Sequence, residues 1–258
     1  MKLIKYKPTS NSLRHKASLK YNLLCKNNKL IKSLLIGKKN FSGRSSVTGR
    51  ITVRHKGAGV KKNFRVIDIV NQSYYAISLG VAYDPNRNIF ISLNFNIVEN
   101  HFFYSPAINK IGAGAILVCA KEVEEVRVGY RLPLASIPVG SLISYLSFGS
   151  KAKFIKAAGA YGQLIEKSYL QCKVKLPSGT LISLLPSAYA TIGVLSNLNH
   201  NKIVIGKAGT NRLKGIRPSV RGIAMNPVDH PHGGRSNGGC AAMTPWGKLT
   251  RGRKTKKI

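Results

Sequence analysis

The stretch NPVDHPHGGRSNGG, Asn226 to Gly239, gathers residue types that do chemistry. Asp229, His230 and His232 carry metal-ligand atoms at short spacing, and Cys240 is the nearest further ligand. The same imidazoles suit general-base work. Nucleophilic catalysis also needs a serine or cysteine held beside the base and an oxyanion site, and nothing adjacent meets that need. A third reading uses the rest of the stretch. Pro227 and Pro231 stiffen a loop, while Gly233, Gly234, Gly238 and Gly239 let peptide N–H groups approach a rigid surface. Histidine can stack on a base or donate to a phosphate. The remainder of the chain favours this third reading, with no catalytic residue and no metal ligand assigned.

Charge is the main reason. The 258 residues include 42 Lys and Arg against 8 Asp and Glu, a net charge of +34. Residues 1–65 carry net +18, residues 66–200 net +4 and residues 201–258 net +12. Like charges at this density repel within a screening length of about 8 Å, so a polyanion must neutralise them, and nucleic acid is the first candidate. A membrane surface would call for a basic amphipathic helix, which the sequence lacks. The longest apolar run, Ile111 to Ala120, is half the roughly 20 residues of a membrane span. Cys25, Cys119, Cys172 and Cys240 lie far apart, which argues against a disulfide scaffold and for a reducing compartment.

The elements that must position the basic residues follow from the patterning. The near-neutral centre reads as β structure. YYAISLGVA and IFISLNF flank YDPNRN, a hairpin with its tip at Asp84 to Asn88. YLQCKVKL meets TLISLL across PSGT, a second hairpin. FRVIDIV and SLISYLSF alternate as strands, and LIKSLLIGKKN reads as a short helical turn. Ile51, Val53 and Val60 could begin a further strand. Pro133 and Pro138 suggest a linker between two small antiparallel barrels or sandwiches. On either side lie basic segments rich in glycine, too charged and too poor in apolar residues to fold alone. Gly49, Gly57 and Gly59 permit close approach to a partner. Glu122, Glu124 and Glu125 could hold magnesium or do acid–base work, but read more simply as a solvated strand face. Trp246 in TPWGK either stacks on a base or anchors a turn, and the tail RGRKTKK is a basic extension.

GIRPSVRGIAMNPVDHPHGG (Gly215 to Gly234), followed by TPWG (Thr244 to Gly247), resembles the signature of the universal large-subunit ribosomal protein family called L-two. KPTS, GRITVRHKGAG, YDPNR, IPVGS, AAGAYGQLI and GKAG agree with that family in the same order along the chain. The resemblance implies a mostly β fold, an OB-like barrel followed by an SH3-like barrel. The expected division is a basic N-terminal extension over 1–42, the first barrel over 43–120, the second over 121–200 and a basic C-terminal extension over 201–258. It implies a structural constituent of the large subunit that binds rRNA, supports assembly and subunit association, and organises the peptidyl-transferase region. It also implies no enzyme, because that chemistry is assigned to the RNA.

The residues expected at rRNA are Arg50, Arg54, His55, Lys56, Lys61, Arg65 and Arg87 in the N-terminal half. In the C-terminal half they are Lys207, Arg212, Lys214, Arg217, Arg221, Asn226, His230, His232, Arg235, Trp246 and Lys248. Arg217 and Arg221 are spaced to reach different phosphates. Expected partners are large-subunit rRNA, neighbouring ribosomal proteins and the small subunit, with no membrane and no homo-oligomer. No cofactor is expected beyond magnesium bridging to rRNA. Lys56, Ala58 and Val60 depart from the bacterial pattern, as does GGRSNGGCAAM, and a longer basic tail is missing. KPTS begins at Lys7, so no presequence is expected, and abundant Lys, Asn and Ile suggest an organelle-encoded chain. The expected location is the mitochondrial matrix, within the mitoribosome, with the plastid as the alternative.

Overall fold

The computed structural model describes residues 2–22, 24–25, 29–38, 40–68, 73–148, 151–235 and 240–252. The chain divides into two units, one of Met1–Asn40 with Lys61–Thr210, the other of Phe41–Val60 with Asn211–Ile258. This division departs from linear order, because residues 41–60 belong with the C-terminal segment.

In the first unit β1 (Leu3–Lys5) pairs with β2 (Ala17–Leu19), and a 3-10 turn over Lys29–Leu34 leads into β3 (Leu35–Lys38), which pairs with β4 (Lys62–Arg65). The alternation expected through Val70 yields only this short strand, and its last residues lie outside the described ones. Next come β5 (Tyr74–Ala82), β6 (Ile91–Asn96), β7 (His101–Pro106) and β8 (Ile116–Cys119). They are followed by β9 (Arg131–Pro133), β10 (Leu142–Ser144), β11 (Leu146–Phe148), β12 (Lys151–Phe154), β13 (Gly162–Lys167), β14 (Cys172–Lys175), β15 (Leu181–Leu184) and β16 (Tyr189–Ile192). Ten of these form one sheet in the order β15-β14-β13-β10-β16-β9-β8-β5-β6-β7.

The sheet falls into two antiparallel modules, β5–β8 and β9–β10 with β13–β16, joined by one parallel pair, Cys119 with Arg131, while β11 and β12 pair with each other apart from it. The fold class is mostly β, in agreement with the hairpin reading. No described helix is long and apolar enough to cross a membrane. SLISYLSF does not run as one strand. Tyr145 sits at φ 50°, which splits it into β10 and β11. The supposed linker is also structure. Arg131–Pro133 forms β9, and Leu132, Leu134 and Ile137 are fully buried in the main core with Ile143, Leu164 and Val174. Proline punctuates without separating here, because Pro133 ends a strand and the following turn carries apolar residues inward.

Both expected hairpins form. Leu176 closes the second, its N–H donating to the Thr180 carbonyl at 2.9 Å, with Gly179 at φ 86°. In the first, Ala82 pairs with Ile91 across the Asp84–Asn88 tip. The Asn86 N–H donates to Asp84 Oδ1 at 2.8 Å, the local turn bond that aspartate is suited to make. Asp84 is fully buried and binds Arg87 through Oδ2, while Arg65 lies 3.7 Å from Oδ1. One aspartate thus ties β4 to the hairpin tip.

A second buried charge sits where the modules join. Arg131 is 5% exposed and donates from Nη1 to the Tyr145 carbonyl and to Thr191 Oγ1, both at 3.2 Å. Burial lowers its pKa, opposed by Tyr74, Cys119, Tyr145 and Tyr189. Burial pushes the Cys119 thiol up from 9.0 to about 11 despite Arg131, and raises the Tyr74 and Tyr145 phenols too. In the folded state Cys119 keeps a proton that the unfolded chain surrenders, so its stabilising contribution is complete below pH 9 and is lost towards pH 11. The urea midpoint, followed by circular dichroism, should therefore fall across that interval. Cys119→Ala should flatten the fall, and an unchanged slope in the variant would assign the effect elsewhere.

Candidate nucleic-acid interface

Fourteen of the eighteen candidate residues lie in the second unit. Lys61, Arg65, Arg87 and Lys207 belong to the first. Arg65 and Arg87 are turned inward on Asp84, with side chains only 12% and 24% exposed, and Arg87 also lies 4.9 Å over the Phe64 ring. Their structural task is to neutralise a buried carboxylate. Lys61 and Lys207 are exposed.

The second unit is built by two basic segments lying along each other. The Gly57 N–H donates to the Gly215 carbonyl at 2.8 Å, Val60 N–H to the Leu213 carbonyl at 2.9 Å and Arg217 N–H to the His55 carbonyl at 3.0 Å. Lys56 and Ile216 form an isolated antiparallel bridge between them. Glycine is required at the crossing. Gly59 has φ 67° and a Cβ there would lie 2.7 Å from the Gly215 nitrogen. Gly215 has φ 88° and a Cβ there would lie 2.8 Å from the Gly57 carbonyl oxygen. The close approach expected of Gly57 and Gly59 is therefore to this chain's own C-terminal segment, whereas Gly49 faces open space. Ile51 and Val53 begin no strand. Ile51 makes one bridge, to Arg44, and both side chains are exposed.

This zipper presents Arg50, Arg54, His55, Lys56, Arg212, Lys214, Arg217 and Arg221 to solvent. The backbone is paired while the cations stay outside, which is the geometry that phosphate contact needs. Arg54, Asn226 and Asp229 line a groove with Val220, Ala224 and Met225, so the two segments share one concave surface.

The signature loop closes on itself. The N–H groups of Asp229 and His230 donate to the Asn226 carbonyl at 3.0 and 3.2 Å, and Gly233 N–H donates to the His230 carbonyl at 2.8 Å. His230 is only 7% exposed, and its Nδ1 accepts the His232 N–H at 3.0 Å. Gly222 lies against the ring, where a Cβ would come within 2.6 Å of its atoms. His232 packs 4.7 Å from His230 between ring centroids, and its Nε2 lies 2.7 Å from the Ala241 carbonyl and 3.2 Å from the Met243 nitrogen. Both imidazoles rivet backbone. Among the described residues no three of His, Cys, Asp and Glu come together in a metal-binding group.

Beyond Met243 the chain turns back, with Thr244 N–H donating to the Lys248 carbonyl at 2.8 Å and Gly247 at φ 73°. Trp246 sits at this tip, 72% exposed, with the Arg54 guanidinium 5.6 Å over its ring. Apart from its contact with Arg54, the indole surface is exposed and open to stacking. Arg235 and Lys248 are exposed beside these turns. Gly238, Gly239 and the tail from Arg253 onward lie outside the described residues.

The described residues of this second unit form no apolar core. Among its described residues no apolar side chain is buried, and His230 is the one buried polar side chain. Val47 and Val228 are 91% and 96% exposed. Ordering a residue's backbone costs about 1–2 kcal/mol, and apolar burial does not offset that cost here. Backbone pairing rather than apolar burial gives the described surface its shape. The sequence marks Gly59 for close approach but not its partner Gly215, which lies far away along the chain, and it does not mark Gly222, whose contact with the His230 ring depends on how the intervening loop folds.

Residues 31–119 match the family described as Ribosomal Proteins L2, RNA binding N-terminal domain, and residues 127–255 match Ribosomal Proteins L2, C-terminal domain. The chain is 41% identical to the large ribosomal subunit protein uL2m of Reclinomonas americana, over 99% of this chain and 94% of that protein. It is 40% identical to uL2 of Rhodospirillum centenum and 43% identical to uL2 of Wolbachia pipientis subsp. Culex pipiens, each over 81% of this chain and 78% of the relative.

Proposed function

This chain belongs to the ribosomal protein L2 family, and we propose from that premise that its coreless basic unit gains its final order on large-subunit rRNA. The protein is a structural component of the large subunit, not a catalyst. The observation that carries the proposal is the pairing of two cationic segments around glycines with no apolar side chain buried among the described residues of the unit. Such a surface is neutralised by phosphates and stabilised by their geometry, so recognition follows RNA shape more than base identity. Bound there, the unit supports subunit assembly, association with the small subunit and the organisation of the peptidyl-transferase region, beside neighbouring ribosomal proteins. Likeness to the mitochondrial uL2m supports a place in the mitoribosome.

Co-sedimentation with the large subunit from purified mitochondria tests the assignment. A chain found only with plastid ribosomes would move the location, and one absent from ribosomes would refute it. Binding to folded rRNA should weaken steeply with salt. Arg217→Ala and Arg221→Ala should each lower the slope of log K against log salt by about 0.7–0.9, one phosphate contact apiece. Slopes unchanged in both variants would remove these residues from the interface. Duplex DNA outcompeting folded rRNA would point to a nucleoid protein instead.

A further inference from the structure

The outward face of the β5–β8 module carries an unbroken apolar row. Ile116 pairs with Ile77, Ile77 with Phe95 and Phe95 with Phe102, so four strands contribute one residue each to the same line. Ile116 is 50% exposed, Ile77 36% and Phe102 46%, with Tyr75 and Val98 more exposed still. An antiparallel sheet with one face on the core ordinarily places polar residues on the other. On β5 the small residues Ala76, Ser78 and Ala82 face inward, while the large apolar Tyr75, Ile77 and Leu79 face outward. A contiguous apolar patch of this kind marks an interaction surface.

Charge decides which partner it fits. Residues 73–109 contain a single Lys or Arg, and that one, Arg87, is bound to buried Asp84. Tyr75, Val98 and Ile116 line a groove with Glu122, Glu124 and Glu125. Glu125 pairs with Arg127, whereas Glu122 and Glu124 have no cation within salt-bridge distance among the described residues. In a chain with 8 acidic residues, three border this groove; Arg127 is held by Glu125 and Lys121 lies exposed beside Glu122, so the rim keeps a small acidic excess where the rest of the molecule is basic. Aromatic and aliphatic side chains beside an excess of carboxylates disfavour a phosphate backbone and attract a cationic polypeptide.

We propose that this face docks a basic, amphipathic segment of a neighbouring ribosomal protein, with its apolar side chains on the Ile116–Phe102 row and its Lys or Arg residues on Glu122 and Glu124. The proposal rests on the chain's residence in the large subunit. The two are separable in one experiment, using full-length protein with a benzophenone amino acid in place of Val98, incorporated into large subunits and irradiated. Sedimentation with the subunit tests the residence, and the adduct tests the docking. A protein adduct mapping to a Lys/Arg-rich peptide is expected. Its yield should fall roughly tenfold or more when Glu122→Lys and Glu124→Lys reverse the field, and less with Glu122→Gln and Glu124→Gln. Subunit-bound protein that cross-links to rRNA, yields no protein adduct, or yields one indifferent to these substitutions overturns the docking alone. Failure of the unsubstituted chain to sediment overturns the residence and the docking with it.

Discussion

Asp84→Ala should lower the unfolding free energy of the first unit by about 3–5 kcal/mol, the usual loss when one partner of a buried ion pair is removed. The carboxylate is fully buried between Arg65 and Arg87, so its loss leaves two largely buried guanidinium groups without their counter-charge. It also removes the acceptor that closes the hairpin tip through Asn86. Asn86 in turn donates to the Asn63 carbonyl at 2.7 Å, and Arg87 to the Arg65 carbonyl at 3.3 Å, so the damage extends to β4. A domain holds about 5–15 kcal/mol in all, so the variant should lose a large share of its stability and unfold at a clearly lower urea concentration. Far-ultraviolet circular dichroism against urea is the suitable probe, because Trp246, the single tryptophan, lies in the other unit. A loss below about 1 kcal/mol, the range of an exposed pair, would show that the triad is solvated.

Gly215→Val, by contrast, should leave that unfolding transition where it is and weaken rRNA binding roughly 5- to 150-fold. The range corresponds to about 1–3 kcal/mol of strain at one forced backbone conformation. Gly215 holds φ 88°, which a β-branched residue avoids, and its new Cβ would press on the Gly57 carbonyl oxygen. The segment carrying Arg212 and Arg217 must then leave the one carrying Arg54 and Lys56. No charge is removed, so the salt dependence should keep its slope while the affinity drops. That separates lost shape from lost phosphate contacts. Gly59→Val should behave alike from the opposite side of the crossing. Unchanged affinity in both would mean that the two segments bind RNA independently.

Much of the fold was legible because it is local. The tips at Asp84–Asn88 and Pro177–Thr180 are written in residues that bond to their own neighbours. The stretch around Pro133 misled for the converse reason. Its prolines look like punctuation, but Leu132, Leu134 and Ile137 are buried by strands from elsewhere in the chain. Of the candidate site, the charge and its placement were plain. The roles of His230 and His232 as backbone rivets were not, since they depend on which carbonyl or amide each ring meets.

Composition alone established that the protein must meet a polyanion, because +34 is a sum over residues that no folding can alter. Likewise the hairpin signals established strands in the near-neutral centre. Tertiary structure decided what a sum cannot express. It turned Arg65 and Arg87 inward while leaving Arg54 and Arg217 outside, and it brought Gly59 against Gly215 across more than half the chain. Charge is additive and needs no coordinates. Burial, backbone pairing and the sign of a φ angle depend on which distant atoms arrive, and only the folded chain specifies those.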